Sequence, residues 1–307
     1  MPKQLPPQTA HALNPPADAS YVFFENAAQH PFQPADSSLN LRNAWWLMDA
    51  AFLSYSDDAR IAREYQKLSG VSVKPFSRHS TQCYVASTTD WIVLAFRGTQ
   101  VDDFWQSVLD WTTDARFVPV LDSHGHWVHE GFKSAIDEVW HGVREHIRGL
   151  QTTQRRPLWI CGHSLGAALA TFAANLCSDE AALGYTGLYT FGSPRVGDRG
   201  FGRRIAPPAV FRFQNDSDLV THVPLGLVFH HVGALQFIDG SGRLHQNVNR
   251  AGQLLLRMSA GLSPSSAHSL SGLLHEGAGD LPLPGFLADH APINYAILLW
   301  NCYEAGL

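Results

Sequence analysis

Between residues 83 and 238, short apolar runs alternate with longer segments whose apolar positions recur every three or four residues. The runs CYVAS, WIVLAFRGT, PLWICG, GLYTFGS, VFRFQND and HHVGALQFID are rich in Val, Ile, Phe and Trp. Most end in Gly, Ser, Asp or Asn, the composition and punctuation of buried strands. Helical spacing falls over 131–149, 165–182 and 293–303, and over about 40–68 in LRNAWWLMDAAFLSYSDDARIAREYQKL. Strands alternating with helices predict an α/β fold: parallel βαβ units in a mostly parallel central sheet, with helices on both faces. DGSG at 239–242 predicts a hairpin, so the last strands leave the parallel pattern. Residues 251–288 mix apolar clusters with Ser, Pro and Gly and carry no assignable period.

Residues 1–34 hold seven of the 18 prolines and little periodicity, which predicts an extended N-terminal arm, disordered or wrapped on the body. Residues 35–307 are expected to form a single domain, long enough to bury a large core. The net charge is -5 with no basic run, so nucleic acid is not an expected partner. No apolar stretch reaches the roughly 20 residues that cross a bilayer. The N-terminus lacks an apolar signal core. That predicts a cytoplasmic protein, export by a signal-independent route, or a mature form whose signal has been removed. Cys83, Cys161, Cys177 and Cys302 lie far apart without CxxC spacing; free buried thiols are expected, and a Cys83–Cys302 link stays open.

The chemistry concentrates in LWICGHSLGAALA, residues 158–170. An apolar strand breaks at Gly162-His163-Ser164-Leu165-Gly166 and resumes as an alanine-rich helix. A serine held at so tight a strand-to-helix turn projects its hydroxyl above the sheet, at a helix N-terminus whose dipoles favour developing negative charge. The flanking glycines keep side chains out of neighbouring backbone. An unassisted hydroxyl is a poor nucleophile, so Ser164 needs a base and an orienting acid later in the chain. Asp216 and Asp218 in VFRFQNDSDLV offer the acid, with Asp198 as an outsider. His290, two residues before Pro292 at a predicted helix start, offers the base, against His245, His268 and His275. An oxyanion hole needs two backbone N–H donors. Leu165 offers one, and Thr99, after the strand end Arg97-Gly98, offers the other.

FRGT (96–99), DWTTD (110–114), VHEGF (128–132), GHSLGAALA (162–170), TFGSPRVGD (190–198), NDSDLVTHVP (215–224) and DHAPINY (289–295) together resemble the class 3 lipases, the family of the filamentous-fungal triacylglycerol lipases. The resemblance implies an α/β-hydrolase fold and a carboxylic ester hydrolase. It assigns Ser164 as nucleophile, His290 as base and Asp218 as acid, and matches Thr99 and Leu165 to the oxyanion hole. Thr99 stands where many relatives have serine, which keeps a hydroxyl there.

After Thr99, Val101, Phe104, Trp105, Val108 and Leu109 fall on one helical stripe, with Asp102, Asp103, Gln106, Ser107 and Asp110 opposite. A helix this short needs an apolar surface to lie on. The family keeps its lid at this position, so the stripe is read as a helical lid that lines an acyl groove. His124, His126 and His129 supply no convincing metal set, and no metal or cofactor is expected. Arg97 and Arg195 are read as structural, with Asp110 or Asp114 as partners. The expected function is a triacylglycerol lipase whose partners are a lipid ester and a lipid–water interface. An esterase, phospholipase, monoacylglycerol or feruloyl esterase would use the same triad. A non-catalytic lipid- or partner-binding protein is the reading least favoured by a complete triad.

Overall fold

A computed structural model describes residues 2–99, 105, 108, 118–207, 209–224, 226–259 and 282–306. Its strands are β1 (Ser72–Arg78), β2 (Thr81–Ser87), β3 (Ile92–Phe96), β4 (Pro119–Leu121), β5 (Trp127–His129), β6 (Leu158–His163), β7 (Tyr185–Phe191), β8 (Ala209–Asn215), β9 (Ala234–Ile238) and β10 (Leu244–Gln246). Eight of these form one sheet in the order β1-β2-β3-β6-β7-β8-β9-β10, and β4 pairs with β5 separately. The centre, β3-β6-β7-β8-β9, is parallel. The margins are antiparallel: β1-β2-β3 on one side and the β9-β10 hairpin on the other. That hairpin turns at the expected DGSG, where Gly242 has φ 78° and donates to the Asp239 carbonyl at 2.7 Å.

Alternation along the central strands divides the core in two. On β3, Val93 and Ala95 face one cluster while Ile92, Leu94 and Phe96 face the other; on β6, Trp159 and Cys161 oppose Leu158 and Ile160. Both faces of a parallel sheet are buried, so such strands read as unbroken apolar runs. The first face is covered by helices Leu41–Leu53 and Pro292–Glu304, which contribute Trp45, Phe52, Leu299 and Trp300. The second is covered by helices Glu130–Thr153 and Leu165–Ser178. Phe132, Ile136, Val139, Val143 and Ile147 make the buried stripe of the longer one.

The helical period over 40–68 resolves into two helices, Leu41–Leu53 and Asp58–Gln66. The break comes at Asp57, whose extended backbone (φ -69°, ψ 162°) lets its carboxylate cap the second helix by accepting from the Arg60 N–H at 2.7 Å. Within the stretch left unassigned, helices Arg250–Ser259 and Gly285–Ala288 are present, and 260–281 lie outside the described residues. All four cysteines are free, including Cys83 and Cys302. Among the described residues, no helix is long and apolar enough to cross a membrane.

The proline-rich N-terminal stretch is wrapped on the body. Phe23, Phe24 and Phe32 are buried in the first core cluster, and Leu283 N–H donates to the Gln8 carbonyl at 2.8 Å. Its anchor is Asp49, wholly buried on helix Leu41–Leu53. Asp49 accepts from the Tyr21 hydroxyl at 2.6 Å and from the Phe24 N–H at 2.7 Å. Burial raises the Asp49 carboxyl to about 6, although both hydrogen bonds favour its charged form. Replacing Asp49 with Ala strands two donors, each costing roughly 1–3 kcal/mol when left without a partner. Thermal unfolding of Asp49→Ala is therefore expected to begin several degrees below wild type; an unchanged melting temperature would show that Asp49 does not anchor the arm.

Candidate active site

Ser164 stands between the end of β6 and helix Leu165–Ser178, with φ 59° and ψ -129°. Its N–H donates to the Phe191 carbonyl at 3.0 Å, fixing the turn to the end of β7. This left-handed conformation is strained for a residue with a Cβ and persists only where surrounding structure over-determines it. The nearby glycines show how. A Cβ on Gly162 would lie 2.2 Å from the Gly166 carbonyl oxygen, and one on Gly166 would lie 2.3 Å from that of Phe96.

Two further residues reach Ser164 from distant parts of the chain. Its Oγ is 2.8 Å from His290 Nε2, and His290 Nδ1 is 2.9 and 3.0 Å from the two carboxylate oxygens of Asp218. The carboxylate accepts, so Nδ1 carries the proton and Nε2 is left to accept from the serine hydroxyl. Ser164 is 4% exposed, and His290 and Asp218 are 0% exposed. Asp218 follows β8 and begins the 3-10 turn Leu219–His222, where it accepts from the Val220 N–H at 2.9 Å. Its other oxygen accepts from the Tyr295 hydroxyl at 2.7 Å, and that hydroxyl accepts from the Asn215 N–H at 2.8 Å. A buried carboxylate with this many donors is satisfied where it sits.

The rivals sit elsewhere. Asp216 pairs with Arg257 at 3.0 Å; Asp198 caps helix Arg199–Arg204; His245 pairs with Asp239 at 2.7 Å. His268 and His275 lie outside the described residues. His129 caps helix Glu130–Thr153, while His124 and His126 lie against Asp179 and Asp198. No group of three or more metal-binding side chains gathers among the described residues. Arg195 donates to the carbonyls of His222 and Pro224, a backbone role. Asp110 and Asp114, offered as arginine partners, are outside the described residues.

Leu165 opens its helix, so its N–H is among the first four with no acceptor inside the helix. Gly98, before Thr99, leaves room for Tyr55: a Cβ there would lie 1.9 Å from the Tyr55 hydroxyl oxygen. Of the proposed lid stripe, Val101, Phe104 and Leu109 lie outside the described residues. Trp105 and Val108 are buried in the first core cluster, and Trp105 Nε1 donates to the Ala10 carbonyl at 3.1 Å.

Besides Tyr295, four supporting residues, Gly192, His163, Tyr55 and Asp289, are not singled out by the sequence. Gly192, at φ 56° after β7, leaves open the space used by Asp218 and His290. A Cβ there would lie 2.8 Å from Asp218 Oδ2 and 3.0 Å from His290 Nδ1. His163 lies beside His290, with ring centroids 4.7 Å apart. Its Nε2 donates to the His290 carbonyl at 2.9 Å, and its Nδ1 accepts from the Tyr55 hydroxyl at 2.9 Å. Burial, and then the charge of His290, hold the His163 pKa well below its ordinary value, so it stays neutral. Asp289 accepts from the Ser217 N–H at 3.0 Å and ties the loop of Asp218 to the loop of His290. Of the four, the glycine ending a strand is the only one with a local sequence signal.

Residues 93–227 match the family model for lipase (class 3). The chain is 34% identical over 158 residues to a secreted mono- and diacylglycerol lipase A of Penicillium cyclopium, covering 47% of each. It is 33% identical over 153 residues to a lipase of Rhizomucor miehei, covering 46% of this chain and 40% of that one. It thus spans about half the length, or less, of these curated relatives. The solved triacylglyceride lipase of Rhizomucor miehei superposes with a TM-score of 0.56 over 79% of this chain and 94% of that one, at 22% identity. The fold is the α/β-hydrolase fold.

Two outcomes test the supporting residues. Tyr295→Phe removes one donor to Asp218 and an acceptor from Asn215, so turnover is expected to fall about tenfold. KM should change little, as steady-state kinetics will show. Burial raises the Asp289 carboxyl to about 7; the Ser217 N–H lowers it, and Asp216 and Asp218 raise it. The folded chain therefore binds this proton more tightly than the unfolded chain, whose carboxyl titrates at about 4. Stability is fully helped below that lower value and falls as pH rises towards 7. Asp289→Asn keeps the acceptor for Ser217 and should flatten melting temperature against pH between about 4 and 7.

Proposed function

We propose, from the match of residues 93–227 to the class 3 lipase family model, that this chain is a serine carboxylic ester hydrolase acting on lipid esters, in the first instance a triacylglycerol lipase. The observation that carries the reading is the unbroken relay from Ser164 through His290 to Asp218. Its strained serine, at a strand-to-helix turn, supports it further.

Ser164 Oγ attacks the ester carbonyl while His290 Nε2 takes its proton. Asp218 holds the imidazole by Nδ1 and stabilises the imidazolium as it forms. The N–H groups of Thr99 and Leu165 receive the developing oxyanion. His290 then returns the proton to the departing alcohol, and water releases the acyl group by the same route. Because His163 stays neutral, the positive charge formed on His290 meets no second cation on its neighbour. The 4% exposure of Ser164 means that an ester reaches it only when its cover shifts. Residues 100–110, with Val101, Phe104, Trp105, Val108 and Leu109 on one stripe, are proposed as that cover. Their apolar side would meet a lipid–water interface.

Hydrolysis of a triglyceride series, short to long acyl chain, below and above the concentration where droplets form, tests both parts. Ser164→Ala and Asp218→Asn should each lose at least about a thousandfold in turnover, and Asp216→Asn only a few-fold. Near-normal activity in Ser164→Ala would sink the mechanism. A rate that jumps with droplets supports the lid. Smooth saturation on dissolved short esters alone would leave the triad and make the enzyme an esterase.

A further inference from the structure

Away from the triad, four arginines converge on one cavity of about 590 Å³. Arg212 comes from β8, Arg195 from the loop after β7, and Arg250 and Arg257 from helix Arg250–Ser259. Positions 250, 253 and 257 are three and four apart, so one face of that helix turns towards the cavity, with Gln253 between the two arginines. His231 completes the wall nearest Arg212. No Asp or Glu is among the described residues that line it.

Some of this charge is spoken for. Arg257 pairs with Asp216, and Arg195 donates to two backbone carbonyls. Arg212 differs. It is 7% exposed, its Nε has no hydrogen-bond partner, and its Nη1 reaches only Gln214 Oε1, at 3.5 Å. A guanidinium withdrawn from water without an opposing charge is unfavourable unless something supplies that charge. Burial lowers its pKa to about 10, with Tyr295 raising it and Arg195 lowering it, so it is still a cation at neutral pH. Beside it, His231 donates through Nε2 to the Thr221 carbonyl at 2.8 Å, while its buried Nδ1 has no partner. A cation without a counter-charge and an acceptor without a donor together suit an oxyanion that can keep one proton.

We propose that this cavity binds a phosphate group, free or carried on a lipid headgroup, held between Arg212, Arg195 and Arg250. Planar guanidinium forks match phosphate oxygens, and a phosphate hydroxyl can donate to His231 Nδ1. The site stands apart from ester hydrolysis, and its test does not use activity.

Thermal unfolding of the full chain at pH 7 is measured in sodium phosphate and in sodium chloride of equal ionic strength. Phosphate at about 10 mM is expected to raise the wild-type melting temperature by at least about 2 °C over chloride. Arg212→Met should abolish the difference. Should that variant fail to fold, Arg250→Glu, at an exposed helix position, carries the test and should lose at least half of the rise. A wild type that does not separate phosphate from chloride, or an Arg250→Glu variant that keeps the whole rise, overturns the proposal. Flotation with phosphatidylcholine vesicles, with and without phosphatidic acid, then distinguishes the sources. Arg250-dependent recruitment by phosphatidic acid assigns a lipid headgroup. A phosphate-dependent shift without recruitment assigns free phosphate.

Discussion

The site depends on how closely three backbone segments approach one another at the carboxyl end of β6. The first turn of helix Leu165–Ser178 lies against both the strand it leaves and the end of β3. Cβ atoms at Gly162 and Gly166 would come within 2.2 and 2.3 Å of carbonyl oxygens. No side chain fits at either position, and Ser164, midway between them, is held at a positive φ. The strain is held by what surrounds it: a hydrogen bond to Phe191, two buried sheet faces and a buried alanine-rich helix. The hydroxyl is consequently in place before any substrate arrives.

The same economy of space governs the charged part of the site. Asp218 and His290 meet across the volume that a side chain at position 192 would fill. Asp218 is wholly buried, which for a lone carboxylate would be unfavourable, yet it faces His290, Tyr295 and the Val220 N–H. These contacts also fix its direction. His163 adds a ring against His290 without adding a charge, because burial keeps it neutral. A second imidazolium there would oppose the one that the proposed general-base step creates.

How much of this was legible in the sequence follows from the range of each interaction. The strand before Ser164, the helix after it and the helix starting at Pro292 are local patterns, and all three were readable. The two helices within 40–68 were not separable by period, since the break rests on one capping carboxylate, Asp57. β1, with Pro75 and mostly exposed residues, belongs to a sheet margin and lacks the apolar run that marked the central strands. Spacing alone did not separate Asp216 from Asp218, because the choice is made by distant partners. Arg257 takes one, and His290 with Tyr295 takes the other. Tyr55, His163 and Asp289 were hidden for the same reason, since their contacts join segments far apart in sequence. Sheet order likewise places β3 beside β6, a neighbour decided by core packing.

The loop after β8 shows how two kinds of electrostatics are kept apart over a few residues. Asp216 adopts a positive φ of 22°, and its carboxylate meets Arg257 at the rim of the basic cavity. Two residues later, Asp218 turns to the imidazole. Ser217, between them, is tied by its N–H to Asp289, the neighbour of His290. Were Asp216 without Arg257, a further uncompensated carboxylate would stand near Asp289, whose carboxyl Asp216 already pushes up. Arg257 therefore neutralises the acid that the tight turn places there. What remains in the cavity is the charge of Arg195, Arg212 and Arg250, which no carboxylate among the described lining residues balances.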